Sequence, residues 1–256
     1  PFHEKSEHIL QVLIEELLPR LEDHSPSVIS YYGSGCTAET SGELTRLLLQ
    51  VFPEVRTVEM ESDLMAAARA LCGRKCGIAC ILGTGANSCF YDGKRVVMNT
   101  PPLGYILGDE GSGAVLGRLF LNALFKGFLP HWMREDYLQS VNMTYADIIQ
   151  RVYRQPLANR FLATVVEYVA KHLEVPELRM MVKDNFTAFF QRNLWTYRQA
   201  FKAKKECQVP KVAFVGGVAY CFRDILAEVT QQQGYEWGGV EMAPIEGLIR
   251  YYTSES

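Results

Sequence analysis

The chain has 256 residues, of which 48% are hydrophobic and 21% are charged, an ordinary globular composition that fits one large or two medium domains. Its net charge of −3 and pI near 6.0 provide no basic field for nucleic acid. No apolar run approaches the ~20 residues that a membrane helix needs. We therefore expect neither a nucleic-acid nor a membrane partner.

The seven cysteines are an odd number without the spacing of a disulfide framework, which predicts a reducing, cytoplasmic location. Cys72, Cys76 and Cys80 recur every four residues, but a predicted helix end and strand should keep them apart. The five histidines form no His-x-x-x-His or His-x-His pair, so we predict no metal site. The thiols are interpreted as small buried hydrophobes. Because the chain starts at Pro1 rather than Met, the sequence leaves a preceding segment open.

The first part of the chain alternates helices and strands. Apolar residues at helical spacing predict three helices, and Ser62 is in the position of an N-cap for the third. The predicted order is helix Glu4–Glu22, strand Ser27–Tyr32, helix Thr37–Phe52, strand Val55–Met60 and helix Asp63–Leu71. An α-β-α-β-α order implies right-handed crossovers and a parallel sheet.

The second part begins with three closely linked strands and continues with helices. The Asp92-Gly93 pair is a strong hairpin signal. The predicted order is strands Gly77–Leu82, Asn87–Tyr91 and Lys94–Asn99, a helix ending at Lys126, helices over Pro130–Lys205 with breaks near Asn142, Pro156 and Pro176, strand Val209–Val215, helix Ala219–Gln232, a strand around Gly239–Met242 and helix Pro244–Thr253.

The two parts share one order of elements. The second reads β-β-β-α, a helical insert, then β-α-β-α, and the first reads the same without its three leading strands. We therefore predict a duplicated α/β domain whose first copy is incomplete in the numbered chain. The predicted domains are residues 1–74, residues 75–243 with an insert at about 128–205, and a C-terminal helix, 244–256, that packs back on the first domain.

A glycine-rich turn follows the strand Gly77–Leu82. Gly83-Thr84-Gly85 allows positive φ and leaves the backbone uncovered, so its N–H groups and one hydroxyl can press against phosphate oxygens. An ordinary hairpin turn would explain a lone Gly-Thr-Gly equally well.

Two stretches together resemble a known family. Residues 80–89 (Cys-Ile-Leu-Gly-Thr-Gly-Ala-Asn-Ser-Cys) and 104–113 (Gly-Tyr-Ile-Leu-Gly-Asp-Glu-Gly-Ser-Gly) resemble the N-acetylglucosamine kinases and the wider BadF/BadG/BcrA/BcrD-type ATPases. The match extends from Ser27 to the end and is weakest in the helical insert. It implies an α/β fold of duplicated actin-like ATPase (ribonuclease H-like) domains around a cleft. It also implies ATP and Mg²⁺ as cofactors, a small-molecule sugar substrate and a homodimer.

The resemblance assigns roles residue by residue. Asp63 matches the general base that faces the attacking sugar hydroxyl, although charge at a helix N-terminus would also explain it. The other matches are Gly83, Thr84 and Gly85 for phosphates, Asn87 and Asp109 for sugar hydroxyls, and Gly216 and Gly217 for adenosine. The structural alternatives are a helix cap at Asp109, with Ser112 at the third helical position, and a plain strand–helix turn at Gly216-Gly217.

Five further residues lie beside these motifs. Ser34, on the loop after the first strand, is a candidate sugar contact, and Gly33 and Gly35 on that loop face the same cleft by topology. Glu61 and Glu110 match no motif, and we interpret both as solvated charges without a role.

One family motif has no counterpart: the Asp-x-Gly-x-Thr-like hairpin that supplies a metal-handling carboxylate and part of the phosphate cradle. The leading interpretation is an ATP-dependent amino-sugar kinase, for example of N-acetylglucosamine. A second is the ATPase activator of a radical dehydratase, whose iron–sulfur ligands would have to be cysteines such as Cys36 and Cys89, without support from their spacing. A third is a nucleotide- or sugar-binding sensor without turnover. Neither the sugar nor the phosphorylated hydroxyl follows from the sequence.

Overall fold

The computed structural model of the protein describes residues 5–21, 25–36, 41–203 and 211–253. The chain divides into two compact units, Pro1–Ala66 and Ala67–Ser256. The boundary falls within the helix Asp63–Cys72, earlier than the predicted division after residue 74. Each unit is described by itself below.

The first unit contains a parallel pair of strands and three helical segments. Helix α1, Ser6–Val12, continues as a π-helical turn, Leu13–Leu17, and a 3₁₀ turn, Leu18–Leu21. The remaining elements are β1 (Val28–Gly33), α2 (Ser41–Val51), β2 (Thr57–Ser62) and the start of α3 (Asp63–Cys72). The strands pair in parallel from Val28 opposite Thr57 to Gly33 opposite Ser62, which confirms the predicted parallel pair. The predicted helix residues 4, 22 and 37–40 lie outside the described residues.

A small core joins these elements. Leu44, Leu47 and Leu48 lie on one face of α2 and are each at most 5% exposed. That spacing of three and four residues is the stripe by which an amphipathic helix buries one face. Alternate residues of the two strands pack against the same cluster: Ile29, Tyr31, Val58 and Met60. The period-two pattern of a strand therefore meets the helical stripe along one side of the pair.

The second unit is built on a five-stranded mixed sheet. Its strands are β3 (Gly77–Leu82), β4 (Ala86–Tyr91), β5 (Val96–Asn99), β6 (Val212–Val215) and β7 (Trp237–Glu241), arranged in the order β5-β4-β3-β6-β7. The pairs β3–β4 and β4–β5 are antiparallel, while β3–β6 and β6–β7 are parallel. This arrangement confirms the predicted hairpin-linked strands followed by parallel crossovers. At the predicted Asp92-Gly93 turn, Asp92 Oδ1 accepts from the N–H groups of Lys94 and Arg95.

Ten helices of the second unit surround this sheet within the described residues. They are α4 (Gly104–Leu107), α5 (Gly113–Phe125), α6 (Trp132–Ser140), α7 (Tyr145–Tyr153), α8 (Ala158–Lys171), α9 (Pro176–Phe189), α10 (Trp195–Ala203), α11 (Gly217–Cys221), α12 (Arg223–Gln232) and α13 (Ile245–Thr253). A π-helical turn, Phe190–Leu194, joins α9 to α10. The single helix predicted over Ala219–Gln232 is wrong. Phe222 leaves the helical path to bury its ring, 2% exposed, against Phe186, and so separates α11 from α12.

The helical insert shares its core with the sheet. Helices α5 and α8 cross at Gly117, where a Cβ atom would lie 2.0 Å from the carbonyl oxygen of Leu162. Only a glycine permits so close a helix crossing. Nearby, the buried rings of Phe120, Tyr137 and Tyr168 form an edge-to-face cluster with centroids 5.0–5.5 Å apart.

Hydrogen bonds of buried hydroxyl groups join the insert to the sheet. Tyr197 on α10 is fully buried, and its Oη donates to the carbonyl oxygen of Ser88 on β4 at 2.9 Å. The same Oη accepts from the N–H of Thr100 at 2.8 Å. Thr100 Oγ1 in turn donates to the carbonyl oxygen of Asn193 at 2.7 Å. The segment after β5 is therefore held against the last helices of the insert.

The C-terminal helix α13 packs on the second half of α3. A Cβ atom at Gly247 would lie 2.6 Å from the Cβ of Ala70, so the two helices approach closely there. The guanidinium of Arg74 lies over the ring of Tyr251, 4.9 Å from its centroid, and Arg69 donates to the hydroxyl of Tyr252. Arg69, Ala70 and Arg74 fall inside the predicted 1–74 domain, but in the structure they belong to the second unit. Within the described ranges, no helix is both long enough and apolar enough to cross a bilayer.

The α5–α8 crossing gives a stability prediction. Gly117→Ala should destabilise the protein by about 1–3 kcal/mol or more, because the added methyl group overlaps the Leu162 carbonyl in a packed interior. Gly42→Ala is the matched control, since a Cβ atom on that α2 residue meets no heavy atom within 4 Å. It should be neutral or stabilising by up to ~1 kcal/mol. Urea unfolding of both variants measures the difference, and equal midpoints would contradict the packing argument.

Candidate functional site

The Gly83-Thr84-Gly85 turn sits on the N-terminus of α5. Its own closure is a hydrogen bond from the Gly83 N–H to the Gly85 carbonyl oxygen at 2.9 Å. The N–H groups of Gly113 and Ala114 donate to the carbonyl oxygens of Gly83 and Thr84, at 2.8 and 3.1 Å. The turn carbonyls therefore satisfy the first N–H groups of α5, while the Thr84 side chain is exposed. The site is fixed in position relative to the positive end of a thirteen-residue helix.

The Gly216-Gly217 turn lies beside it. Strands β3 and β6 are parallel neighbours, so their carboxyl ends meet at one edge of the sheet. Gly216 has φ 123°, and a Cβ atom there would lie 2.5 Å from the carbonyl oxygen of Leu82. Backbone packing alone therefore requires glycine at 216. Gly217 differs because it is exposed, and the nearest atom to a Cβ there is the Met242 methyl at 4.0 Å. The structure thus places the two turns together at one edge of the sheet.

Asp109 is aimed at the same turn. Its side chain is 8% exposed, and its carboxylate accepts from the N–H of Ala86. Oδ2 would be 3.1 Å from a Cβ at Gly85, so the absence of a side chain at 85 leaves room for this carboxylate. Burial raises the pKa of Asp109 and the charge of Glu110 raises it further, while the Ala86 hydrogen bond opposes both effects.

The alternative of a helix cap at Asp109 is wrong. Ser112 is the N-cap of α5, and its Oγ accepts from the N–H of Val115 at 3.2 Å. Ser112 is therefore not at the third helical position. Asp109 stands before the helix in the left-handed region, with φ 55°. This conformation is uncommon for a residue with a side chain and needs support from its surroundings.

The loop before Asp109 closes on itself. Leu103 and Gly104 are both left-handed, with φ 64° and 74°. The carbonyl oxygen of Pro102 accepts from the N–H of Asp109 at 3.0 Å, and a Cβ at Gly108 would lie 2.1 Å from that oxygen. The Gly at 108 is therefore required by this closure. The result is a tight loop that presents Asp109 next to the Gly83–Gly85 turn.

Asn87 is fixed by its neighbour on β5. Its Oδ1 accepts from Asn99 Nδ2 and from the N–H of Ser88, each at 2.9 Å. Asn87 directly follows Ala86, the residue that donates to Asp109. Asp109 is thus hydrogen-bonded to the residue just before Asn87, so the start of β4 brings together the two side chains predicted to bind sugar. Half of the Asn87 carboxamide is used locally, and its side chain is half-buried.

Two features of the loop were not predicted from the sequence. Asn185 on α9 is 3% exposed, its Oδ1 accepts from the Gly111 N–H at 2.9 Å and its Nδ2 donates to the Ser112 carbonyl oxygen at 3.2 Å. The available signal was a polar residue in the apolar stripe of a helix. Glu110 was expected to be solvated, but its side chain is 16% exposed and pairs with Arg192 at 3.1 Å. That expectation is wrong because the insert reaches the loop.

The first unit holds the remaining candidates at one sheet edge. Gly33 and Ser62 are paired residues at the ends of β1 and β2, so Ser34 and Asp63 follow at the same edge. Ser62 Oγ accepts from the N–H of Met65 at 3.1 Å and caps α3, as predicted. The helix start therefore has a cap other than Asp63. Ser34 is exposed in a turn closed by the Cys36 N–H on the Gly33 carbonyl oxygen.

The cysteines give no support to a cluster site. Burial raises the pKa of Cys89 to about 12, and Cys89 is 0% exposed within β4. Cys89 is therefore one of the small buried hydrophobes that were predicted, whereas Cys76 and Cys221 are exposed, so that prediction is wrong for those two. Burial also raises the pKa of Cys72 to about 12. Among the residues that the structure describes, no group of three or more His, Cys, Asp or Glu side chains is arranged to hold a metal ion.

Comparisons with known proteins bear on this site. A solved structure from Porphyromonas gingivalis, provisionally named an N-acetylglucosamine kinase, is 41% identical with a TM-score of 0.91, covering 98% of this chain and 87% of that one. A second, from Chromobacterium violaceum with the same provisional name, is 19% identical with a TM-score of 0.67, covering 98% and 86%. The second supports the fold alone. No protein-family model and no curated protein matches the chain.

The similarity to the Porphyromonas gingivalis structure extends over nearly the whole chain, and an identity of 41% indicates that the two proteins are related. The predicted fold, duplicated α/β domains of the actin-like ATPase type, is confirmed. The two stretches from which the resemblance was drawn are the same ones that the structure brings together at the edge of the second sheet. The chain therefore belongs to the family of N-acetylglucosamine kinase-like proteins within the actin-like ATPase superfamily.

Proposed function

We propose that the protein is an ATP-dependent sugar kinase that phosphorylates an amino sugar such as N-acetylglucosamine. The observation that supports this best is the meeting of three features at one sheet edge: the Gly83–Gly85 turn, Gly217 and the Asp109 carboxylate. Each feature alone has a structural explanation. A site that binds both a phosphate and a polyol would need all three: a glycine-rich turn, an exposed glycine and a buried hydrogen-bond acceptor.

The proposed phosphate contacts are the turn Gly83–Gly85 and the hydroxyl of Thr84. The carbonyls of Gly83 and Thr84 accept from α5, and Thr84 is an exposed residue, so its hydroxyl is available to a phosphate oxygen. Gly217 is the proposed approach of the nucleotide, because it is exposed and has no heavy atom closer than 4.0 Å to a Cβ position. Gly216 has a structural role, because it allows the turn after β6 to pack against the Leu82 carbonyl oxygen. Mg²⁺ bound with the ATP phosphates would neutralise charge that develops in phosphoryl transfer.

The proposed sugar contacts are Asp109 and Asn87. A carboxylate that is largely withdrawn from water makes strong charge-assisted hydrogen bonds to hydroxyl groups. Asp109 already accepts from Ala86, and its second oxygen and remaining lone pairs provide further acceptors. Ser34 is proposed as an additional sugar contact. An acceptor-rich site of this kind selects a substrate with several hydroxyl groups over an apolar alcohol.

Asp63 is the proposed general base. Its carboxylate would take the proton of the attacking hydroxyl as the new O–P bond to the γ-phosphate forms and the bond from γ-phosphorus to the bridging oxygen breaks, releasing ADP. The Ser62 hydroxyl caps α3, so the Asp63 side chain is not needed for that purpose. Asp63 still places a charge in the first turn of α3, which would stabilise the helix by a few tenths to ~1 kcal/mol besides its proposed chemical role. Electrostatic stabilisation and positioning would supply most of the remaining catalysis.

The two other readings have less support. An iron–sulfur activator would need cysteines such as Cys36 and Cys89 as cluster ligands, but Cys89 is fully buried within β4. A sensor without turnover would need the binding features but not Asp63. The proposed dimer and cytoplasmic location remain expectations drawn from the resemblance and from the cysteine pattern.

A substrate screen tests the proposal. Purified protein with ATP and Mg²⁺ is assayed for ADP release against N-acetylglucosamine, N-acetylmannosamine, glucosamine, glucose and glycerol. The expected result is release with an acetylated amino sugar well above that with glycerol or without sugar. Binding of ATP and sugar by calorimetry without turnover would instead identify a sensor, and absence of both would overturn the proposal.

Asp63→Asn should abolish most turnover while leaving binding intact. Loss of a general base typically lowers kcat about 10²- to 10⁴-fold. The KM for ATP and the melting temperature should stay close to wild type, because the α3 cap is Ser62. Glu54→Gln, which removes the same charge at an exposed position of the same unit, is the control and should retain full activity. A kcat for Asp63→Asn within threefold of wild type would exclude Asp63 as the base.

Asp109→Asn should weaken sugar binding and stabilise the protein without sugar. Loss of a charged acceptor costs about 1.5–3 kcal/mol, roughly a 10- to 100-fold rise in the sugar KM. Since the folded-state pKa of Asp109 is raised, its charged form is disfavoured by folding, so removing the charge should raise the melting temperature at neutral pH and not below the carboxyl pKa. Steady-state kinetics and thermal unfolding at pH 7.5 and pH 4 measure both effects. An unchanged sugar KM would make the role of Asp109 purely structural.

A further inference from the structure

The helical insert reaches the Asp109 loop through one buried side chain. Asn185 lies on α9, and both ends of its carboxamide are used on the loop backbone: Oδ1 accepts from the Gly111 N–H at 2.9 Å, and Nδ2 donates to the Ser112 carbonyl oxygen at 3.2 Å. These two bonds lie on either side of one peptide unit. They fix the chain two and three residues after Asp109.

The two hydrogen bonds of Asn185 lie in a buried, closely packed environment that constrains their geometry. Asn185 is 3% exposed, and Val182, Phe186 and Phe189 around it on α9 are fully buried. A buried carboxamide without its partners would cost about 1–3 kcal/mol, so this side chain holds the loop backbone firmly. Gly111 is packed as tightly, because a Cβ there would lie 3.0 Å from Phe189 and 3.1 Å from Leu82. Its φ of 84° completes the turn away from Asp109.

The insert holds the same loop at Glu110. Glu110 Oε1 accepts from Arg192 Nη1 at 3.1 Å, and Oε2 accepts from Asn193 Nδ2 at 3.3 Å. Both partners are in the π-helical turn Phe190–Leu194. Such turns within helices often place side chains that a regular helix would direct elsewhere. On the other side of Asp109, its own N–H is fixed on the Pro102 carbonyl oxygen.

We infer that Asn185 is a positioning residue for Asp109, holding Gly111 and Ser112 so that Asp109 keeps the left-handed conformation that directs its carboxylate at Ala86 and the sugar site. Three fixed points surround Asp109: Pro102 before it, the Glu110 pairs beside it and Asn185 after it. Asn185 is a buried residue, only 3% exposed. The inference rests on the proposed function for the identity of the sugar. It deepens that proposal by giving the helical insert a part in sugar specificity.

Two substitutions at Asn185 distinguish a role in positioning Asp109 from a general contribution to the stability of the fold. Asn185→Leu has a similar volume and neither hydrogen bond. Asn185→Asp keeps an acceptor for the Gly111 N–H, and in its neutral form its O–H can also donate to the Ser112 carbonyl oxygen. Burial favours that neutral form at low pH, whereas the carboxylate formed as pH rises repels the carbonyl. The aspartate variant is therefore a pH-controlled rescue of the wild-type bonds.

The expected kinetic result is selective for the sugar. Asn185→Leu should raise the sugar KM about 10- to 100-fold, the loss typical of a misplaced binding group, with the ATP KM within twofold of wild type. For Asn185→Asp, the sugar KM relative to wild type at the same pH should fall towards one as pH is lowered. Thr230→Val is the control, because it removes a fully buried hydroxyl that donates to the Leu226 carbonyl oxygen on α12. It should lower the melting temperature without changing the sugar KM.

Several outcomes would overturn the inference. These are an unchanged sugar KM in Asn185→Leu, equal rises in the sugar and ATP KM values, or a pH-independent KM ratio in Asn185→Asp. If Asn185→Leu does not fold, the pH dependence of Asn185→Asp decides alone.

A readout without turnover distinguishes failure of this inference from failure of the proposed function. Amide hydrogen exchange at Gly111 should be at least about tenfold faster in Asn185→Leu, since its N–H loses its acceptor, and near wild type in Asn185→Asp at low pH. If the wild-type protein phosphorylates no sugar, the proposed function fails, and exchange then decides the positioning claim. Unchanged exchange at Gly111 in Asn185→Leu would overturn it.

Discussion

The site of the second unit depends on one close backbone contact. Gly216 lies against the carbonyl oxygen of Leu82, closer than any side chain would allow, because two parallel strands end together there. The contact brings the turn after β6 onto the turn after β3. In the turn after β3, the carbonyl oxygens of Gly83 and Thr84 then accept hydrogen bonds from the first N–H groups of α5. Sheet, turn and helix are thereby locked into one arrangement before any ligand is considered.

Glycines in this region do three different things. At Gly216 and Gly108 the backbone is approached by another carbonyl, so the residue is required by packing. At Gly85 the missing side chain leaves space for the Asp109 carboxylate. At Gly217 the backbone faces open space. The sequence motifs do not distinguish these glycines. In the structure, Gly216, Gly108 and Gly85 are needed for packing within the protein, whereas Gly217 is open to a ligand.

Much of the fold follows from local patterns, and the missed features follow from contacts distant in the chain. The apolar run of β3, the helical stripe of α2 and the Asp92-Gly93 turn predicted those elements, because each depends on neighbouring residues. The pairing of β3 with β6, across more than a hundred residues, was reached through the resemblance. Glu110 was misread as solvated, since its partners Arg192 and Asn193 are more than eighty residues away. Nothing beside Asn185 in sequence indicates which backbone it holds.

The Tyr197 hydroxyl has a consequence for how the chain folds. It joins α10 to Ser88 and Thr100, partners 109 and 97 residues earlier. Contacts across such separations form late, because the intervening chain must first be ordered. The loop that carries Asp109 follows Thr100 directly, so it acquires its final shape only when the insert has docked on β4. During synthesis the insert emerges after the loop, and the loop that carries Asp109 therefore waits for a segment made well after its own residues.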